Sequence, residues 1–175
     1  MTDLRTIEDA LALLSDLGAP PRLRRHGQLV SEAAEEIVTT LREKRVDFDH
    51  ERVLLGAVLH DAGKIEHPAE LDGPGNRHEP DGERLLLSHD VPPDLARCCR
   101  THADWGSAEA ELEDRLIALA DKLWKGKRVE ELELAVIDEV AGRLGQERWD
   151  LFVDLDGCFE RIAAEGERRL ERSRT

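Results

Sequence analysis

The sequence is short of several residue types, and these shortages narrow the kinds of protein it can encode. Its 175 residues include three cysteines, one methionine and no tyrosine, and aromatic residues make up 3% of the chain. Three cysteines do not make a disulfide framework, so the expected compartment is a reducing cytoplasm. Two of them, Cys98 and Cys99, are adjacent. We interpret this pair as small apolar residues on a helix rather than as a redox or metal site.

Long apolar runs and excess positive charge are also missing. No stretch approaches ~18 consecutive apolar residues, and the polar start Met-Thr-Asp-Leu-Arg lacks a signal-peptide pattern, so we expect no membrane association. The chain has 25 basic and 39 acidic residues, which give a net charge of −14. This charge argues against general binding to nucleic acid, because such binding requires many phosphates to be neutralised. A small nucleotide remains compatible, since a bound metal and a few local cations can outweigh the overall field.

The chain shows no internal repeat, no low-complexity segment and no alternating strand pattern. Its length, with 40% hydrophobic and 37% charged residues, is typical of one globular domain that buries its own core. Apolar residues instead recur at helical spacing along the chain. We therefore predict an all-α, single-domain helical bundle over residues 1–175.

Capping and proline signals divide the chain into helices. The first helix begins after Thr6 and breaks at Gly18. The second runs from Pro21 to about Arg45, and the fifth runs through the cysteine pair to His102. The other predicted starts are a cap at Asp49, Pro80, Pro93 and a cap at Ser107, followed by helices over about 129–144 and 148–172. Residues 66–81 are rich in Pro, Gly and Asp and predict an exposed loop beside a site.

The most informative stretch is residues 54–65, Leu-Leu-Gly-Ala-Val-Leu-His-Asp-Ala-Gly-Lys-Ile. Adjacent His60 and Asp61 at a helix end suit a metal with mixed nitrogen and oxygen ligands. Gly63 fits the left-handed conformation that ends a helix, and Lys64 returns to the face of Asp61. Taken alone, the pair is more often a polar helix terminus than a metal site.

Other histidines and one carboxylate strengthen the metal interpretation. His26 lies in the apolar stripe of the second helix, where a lone histidine is usually a core residue. Asp121 lies within Leu-Ile-Ala-Leu-Ala-Asp-Lys-Leu, and buried carboxylates are rare unless they are paired or bind metal. Six nitrogen or oxygen ligands from separate helices are what a metal site in a bundle core requires. The candidates are His26, His60, Asp61, His78, His102 and Asp121. We interpret His67 and His89 as solvated or substrate-loop residues.

The order and local contexts of these residues resemble the HD superfamily of metal-dependent phosphohydrolases, over about residues 22–125. The matching pieces are Arg25-His26, Leu59-His60-Asp61-Ala62-Gly63-Lys64-Ile65, His78 with Gly82 four residues later, Thr101-His102 and Ala118-Leu119-Ala120-Asp121-Lys122-Leu123. The resemblance implies an HD-type bundle in which His26, His60, Asp61 and Asp121 hold one metal ion. Positions like His78 and His102 hold a second ion in two-metal members, and the aspartate like Asp61 bridges the two. The chain departs from the cyclic-dinucleotide phosphodiesterase branch, because it has no His-His doublet at His102 and no Gly-Tyr-Pro segment after it.

The resemblance implies hydrolysis of a small phosphate ester, such as a nucleotide, by metal-activated water. One or two divalent ions would serve, with iron, manganese, cobalt, nickel and magnesium as candidates. Asp61 and Lys64 are the candidate catalytic residues, and Lys64, Arg25 and Lys122 are the candidate substrate-binding residues. Lys64 is placed to neutralise charge on a phosphate, although a helix-end lysine has the same pattern. Lys122 belongs to a basic run over 122–128 that also fits a solvated helix end.

Several alternatives stay open at this point. Glu66, Glu79 and Asp104 lie near ligands in sequence and are unranked candidates to support them. The main functional alternative is a di-iron oxygenase similar to myo-inositol oxygenase, which uses the same six-ligand pattern. A nucleotide-binding module without catalysis is a third hypothesis, and a homodimer is also left open.

Overall fold

The computed structural model describes residues 3–175, and within this range the chain is helical, with no strand. The ten α-helices are α1 Ile7–Asp16, α2 Pro21–Glu43, α3 His50–Leu59, α4 His78–Leu87, α5 Pro93–Ala96, α6 Cys98–Thr101, α7 Leu112–Leu123, α8 Glu130–Leu144, α9 Arg148–Ala164 and α10 Gly166–Ser173. Two short 3₁₀ helices, Ala62–Ile65 and Pro68–Leu71, lie between α3 and α4. The all-α prediction is confirmed. None of the described helices combines the length and the apolar character needed to cross a membrane.

The first three helices begin where the sequence predicts. The Thr6 side chain caps α1 in a reciprocal capping box with Asp9. Pro21 is the first residue of α2, where its missing N–H is not needed. The Asp49 carboxylate caps α3 by accepting a hydrogen bond from the N–H of Arg52, at 3.0 Å.

Two later helix starts were wrongly predicted. Helix α4 begins at His78 rather than Pro80, because the carboxylate of Glu70 accepts the His78 N–H at 3.0 Å and supports an earlier start. Helix α7 begins after Glu111 rather than Ser107. Glu111 and Asp114 form a capping box, in which the Glu111 N–H donates to the Asp114 carboxylate at 2.8 Å. This pair provides more hydrogen bonds than a lone serine cap.

Two predicted helices are divided in the structure. The fifth breaks at Arg97, where ψ is −12° and the turn is tighter than in an α-helix, so α5 and α6 replace it. The last helix breaks at Glu165, which separates α9 from α10. The buried Arg169 side chain donates to the carbonyl of Ile162 at 2.7 Å and satisfies an acceptor near that break.

Helix α2 packs against α3, α7 and α9 and forms the centre of the apolar core. Its close approach to α3 depends on Gly27, since a Cβ there would lie 2.7 Å from the carbonyl oxygen of Val58. The approach places His26, the preceding residue, beside the end of α3. All three cysteines are free and buried, which agrees with a packing role for the Cys98 and Cys99 pair.

Gly63 serves a different purpose from the one predicted. It is not in the left-handed conformation, which among the described glycines is confined to Gly18, Gly75, Gly126 and Gly145. Instead its backbone packs against the first turn of α4, and a Cβ there would lie 2.8 Å from the amide nitrogen of Gly82 and would also clash with His78. A side chain at this position would push α4, and His78 with it, away from Asp61.

Candidate metal centre

The structure brings all six predicted ligands together. They come from the ends and faces of different helices: His60 and Asp61 follow α3, His78 begins α4 and His102 follows α6. His26 and Asp121 project from α2 and α7, respectively. All are buried except His26, which is half-buried. Buried imidazole and carboxylate groups in one cluster are expected only where they pair or bind a metal.

Backbone carbonyls orient two of the histidines. Nδ1 of His60 lies 2.8 Å from the carbonyl oxygen of Ala57, and Nδ1 of His102 lies 3.0 Å from that of Cys98. Each carbonyl accepts the Nδ1–H and leaves Nε2 as the free ligand atom. Both rings therefore present Nε2 to the centre of the cluster.

A third histidine is oriented by Glu70, a residue that the sequence analysis missed. Nδ1 of His78 lies 2.5 Å from the Glu70 carboxylate, which also accepts the backbone N–H groups of Arg77 and His78, at 3.1 and 3.0 Å. Burial alone would raise the pKa of Glu70, but the hydrogen bonds from His78 outweigh it and lower that pKa to about 2. Glu70 is therefore an ionised anchor for His78.

The two oxygens of Asp61 face different histidine pairs. Oδ2 lies 3.2 Å from Nε2 of His26 and 3.6 Å from Nε2 of His60. Oδ1 lies 3.4 Å from Nε2 of His78 and 3.6 Å from Nε2 of His102. One carboxylate thus lies between two groups of nitrogen ligands.

Asp121 completes the first of these groups. Its Oδ1 lies 3.2 Å from Nε2 of His60 and 3.7 Å from Nε2 of His26, and the two Nε2 atoms are 3.3 Å apart. Ligand bonds of about 2.0–2.2 Å to one ion place neighbouring ligand atoms about 3.0–3.6 Å apart. The donor types and spacings therefore fit a divalent metal ion, and His60, Asp61 and His102 make a second group of convergent ligand atoms.

The pKa values of the clustered histidines and aspartates also favour binding of a cation. Burial disfavours charge on His60, but the carboxylates of Asp61 and Asp121 outweigh it and raise the pKa of His60 to about 9. Burial likewise opposes ionisation of both aspartates, yet the neighbouring histidines, His60 first, hold their pKa values below the ordinary range. Burial, aided by His60, lowers the pKa of His102 to about 4, so this ring is neutral near pH 7.

A cavity of about 750 Å³ opens beside the metal centre and is lined in part by the ligands His26 and Asp61. Two of the three predicted substrate-binding residues, Lys64 and Arg25, line the same cavity. Nζ of Lys64 lies 2.8 Å from Oδ2 of Asp61. Lys122 lies elsewhere: its Nζ is 3.9 Å from the Asp121 carboxylate, and it does not line this cavity.

Other residues near the ligands take structural positions. Trp124 is 6% exposed and packs edge-on against His26, with ring centroids 5.0 Å apart. His67 was predicted to be solvated or in a substrate loop, and it instead pairs with Asp81 at 2.6 Å. Glu66 is exposed and lies outside the six-residue cluster, in a separate group with His67 and Asp81.

A helical bundle with a buried cluster of histidine and aspartate side chains defines a candidate metal centre. The family model described as "HD domain" matches residues 23–124, which is more than half of the chain. The chain belongs to the HD domain family, whose members are generally metal-dependent phosphohydrolases. Comparison with curated proteins and with solved structures gives no significant match.

Proposed function

We propose that this protein is a metal-dependent phosphohydrolase that cleaves a phosphate ester of a small molecule, in particular a nucleotide. The observation that carries the proposal is the position of Asp61, whose two oxygens face separate histidine pairs within the HD domain match. A shared carboxylate between two groups of ligands suits two-metal hydrolysis of phosphate esters.

Two ions would be held by different residues. His26, His60, Asp61 and Asp121 would hold the first, and His78, His102 and Asp61 would hold the second. These nitrogen and oxygen donors suit iron, manganese, cobalt or nickel, and magnesium is less favoured by the histidines. When bound, such ions lower the pKa of water to about 7 and polarise phosphoryl oxygens.

The surrounding residues supply binding and charge. Lys64 lines the cavity and is held by its 2.8 Å contact with Asp61, so its ammonium group can neutralise charge that develops on a phosphate. Arg25 lines the same cavity and provides a second cation. Leu71, Trp124 and Leu170 add apolar surface, which suits the base or sugar of a nucleotide. Lys122 remains a candidate substrate-binding residue, although it does not line this cavity.

Phosphate release tests the proposal. Metal-stripped protein would be reloaded separately with manganese, iron, cobalt, nickel or magnesium and assayed on a panel of nucleotides and an aryl phosphate. We expect turnover by the unchanged protein and none by Asp61→Ala, whose circular dichroism should stay helical. Oxygen uptake by iron-loaded protein, with no phosphate release from any substrate, would instead favour the di-iron oxygenase.

A further inference from the structure

The C-terminal helix α10 forms one wall of the cavity beside the metal centre. The lining residues from α10 and the residues after it are Leu170, Ser173, Arg174 and Thr175. They lie outside residues 23–124, which match the family model. This wall therefore lies outside the matched region.

Ion pairs hold α10 against α2. The Arg172 guanidinium makes two contacts with the Glu32 carboxylate, at 2.7 and 2.8 Å. Arg169 is buried, donates to the carbonyl of Ile162 and lies 3.5 Å from the Glu36 carboxylate. Because bidentate and buried arginine contacts fix a helix in position, α10 is an anchored wall.

Two arginines at this cavity have no carboxylate partner within residues 3–175. The Arg25 side chain donates to the carbonyl of Arg172 and to Oγ1 of Thr175, both at 3.1 Å, so neutral groups hold it. Arg174 is exposed, lines the same cavity and makes no ion pair with any described residue. The charge of Lys64, by contrast, is offset by Asp61. Other cations of the described residues, such as Arg42 and Lys127, also make no ion pair. Arg25 and Arg174 differ from these because they line one cavity together with His26 and Asp61, and two unpaired cations in such a cavity suit an anionic ligand.

A single phosphate held by the metal ions and Lys64 leaves Arg25 and Arg174 without an anionic partner. We propose that Arg25 and Arg174 form a second phosphate subsite, which holds a phosphate group of the substrate other than the one cleaved. The substrate class is then a compound with two or more phosphate groups, such as a nucleoside diphosphate or triphosphate. This inference rests on the proposed function for the reaction, but the subsite itself is testable without turnover.

Calorimetry on the chelator-treated protein of residues 1–175 tests the subsite directly. Pyrophosphate and orthophosphate would be titrated at low ionic strength into the unchanged protein, Arg174→Ala and Arg168→Ala. Arg168 is the matched control, because it lies on the same helix, is exposed and pairs with Glu165. We expect pyrophosphate to bind more tightly than orthophosphate, and Arg174→Ala to weaken pyrophosphate binding roughly tenfold, while Arg168→Ala leaves it unchanged. Equal losses in both variants, or no preference for pyrophosphate, would overturn the subsite.

Kinetics separate this inference from the proposed function. With manganese, Arg174→Ala should raise KM for a nucleoside diphosphate roughly tenfold and leave kcat, and KM for a monophosphate, unchanged. If the unchanged protein releases no phosphate but prefers pyrophosphate, the hydrolase proposal fails and the subsite stands. If diphosphate turnover is normal in Arg174→Ala, the subsite is wrong and the hydrolase proposal stands.

Discussion

Replacing Glu70 should weaken one half of the metal centre and leave the other half intact. Glu70 lies in the 3₁₀ helix Pro68–Leu71 and contacts His78 through both the backbone N–H and Nδ1 of the ring. These contacts point Nε2 of His78 towards Oδ1 of Asp61, 3.4 Å away. In Glu70→Ala the ring loses its anchor and the first turn of α4 loses its acceptor, so His78 becomes free to rotate away from Asp61.

The size of the effect follows from which ligands depend on Glu70. Removal of a group that orients a metal-binding histidine typically weakens metal affinity about 10- to 100-fold. We expect that loss for the ion held by His78 and His102. The ion held by His26 and His60 should be affected much less, because the Nδ1 of His60 is held by the carbonyl of Ala57 instead.

Metal titration by calorimetry, with manganese or cobalt added to metal-stripped protein, measures both sites. Asp72→Ala is the control, because Asp72 is exposed, lies two residues later and also removes one carboxylate. The expected outcome is one weakened site in Glu70→Ala and two normal sites in Asp72→Ala. Two normal sites in Glu70→Ala would refute the assigned role of Glu70, and equal weakening of both sites would show that its effect is not confined to His78.

Three further predictions concern the pKa of His60, the buried carboxylate of Asp114 and the charge of Lys64. Because the folded metal-free protein holds the pKa of His60 at about 9, above its ordinary 6.5, this group stabilises the fold fully below about pH 6.5. The free energy of unfolding of metal-free protein, measured with urea, should therefore fall by the order of 3 kcal/mol as pH rises through 9. Asp114→Ala should reduce that free energy by about 3–5 kcal/mol, since it removes the carboxylate that lies 2.9 Å from Arg52 and 3.0 Å from Arg97. Lys64→Ala should lower kcat while the metal content, measured by mass spectrometry, stays unchanged.

Each of these has a matched control. Metal-loaded protein is the control for the pH series, because a bound ion displaces the His60 proton. A free energy of unfolding that does not change with pH in metal-free protein would contradict the prediction. Asp138→Ala removes an exposed ion pair with Arg148 and should change stability by less than about 1 kcal/mol. Lys127→Ala controls for loss of charge in the Lys64 assay. Loss of metal from Lys64→Ala would show that Lys64 supports the ligands rather than the substrate.

Three of the six candidate ligands, His60, Asp61 and Asp121, carry a local signal in the sequence, whereas His26, His78 and His102 were assigned through the resemblance to the HD superfamily. Asp121 is a carboxylate inside an apolar helical stripe, and His60 and Asp61 stand together where such a stripe ends. Neither observation needs knowledge of the tertiary structure. All six ligands are found in one cluster.

Glu70 could not be predicted in the same way. It lies in a segment rich in Pro, Gly and Asp, and it reaches His78 eight residues later through the path of that loop. No periodicity links the two residues, so only the fold shows the contact. Gly63 shows a similar limit, because a glycine after a helix is compatible with both a left-handed stop and a close contact, and the structure has the contact.

The predicted helix boundaries were wrong where two local signals compete. Ser107 is a preferred cap by residue type and Glu111 is not, but the reciprocal bonds between Glu111 and Asp114 decide the outcome. The break at Glu165 depends on Arg169, whose side chain reaches the carbonyl of Ile162 only once α10 has turned. A contact between residues on the two sides of a helix break leaves no periodic pattern in the sequence.

The most direct test of the account is the number of metal ions bound by the unchanged protein and by Asp61→Ala. Both would be stripped with chelator, reloaded with manganese and analysed by elemental mass spectrometry, with anomalous diffraction to locate the ions. We predict two ions per chain, one beside each oxygen of Asp61, and loss of both strong sites in the variant while its circular dichroism stays helical. Two ions retained by Asp61→Ala, or ions bound away from Asp61 in the unchanged protein, would contradict this prediction.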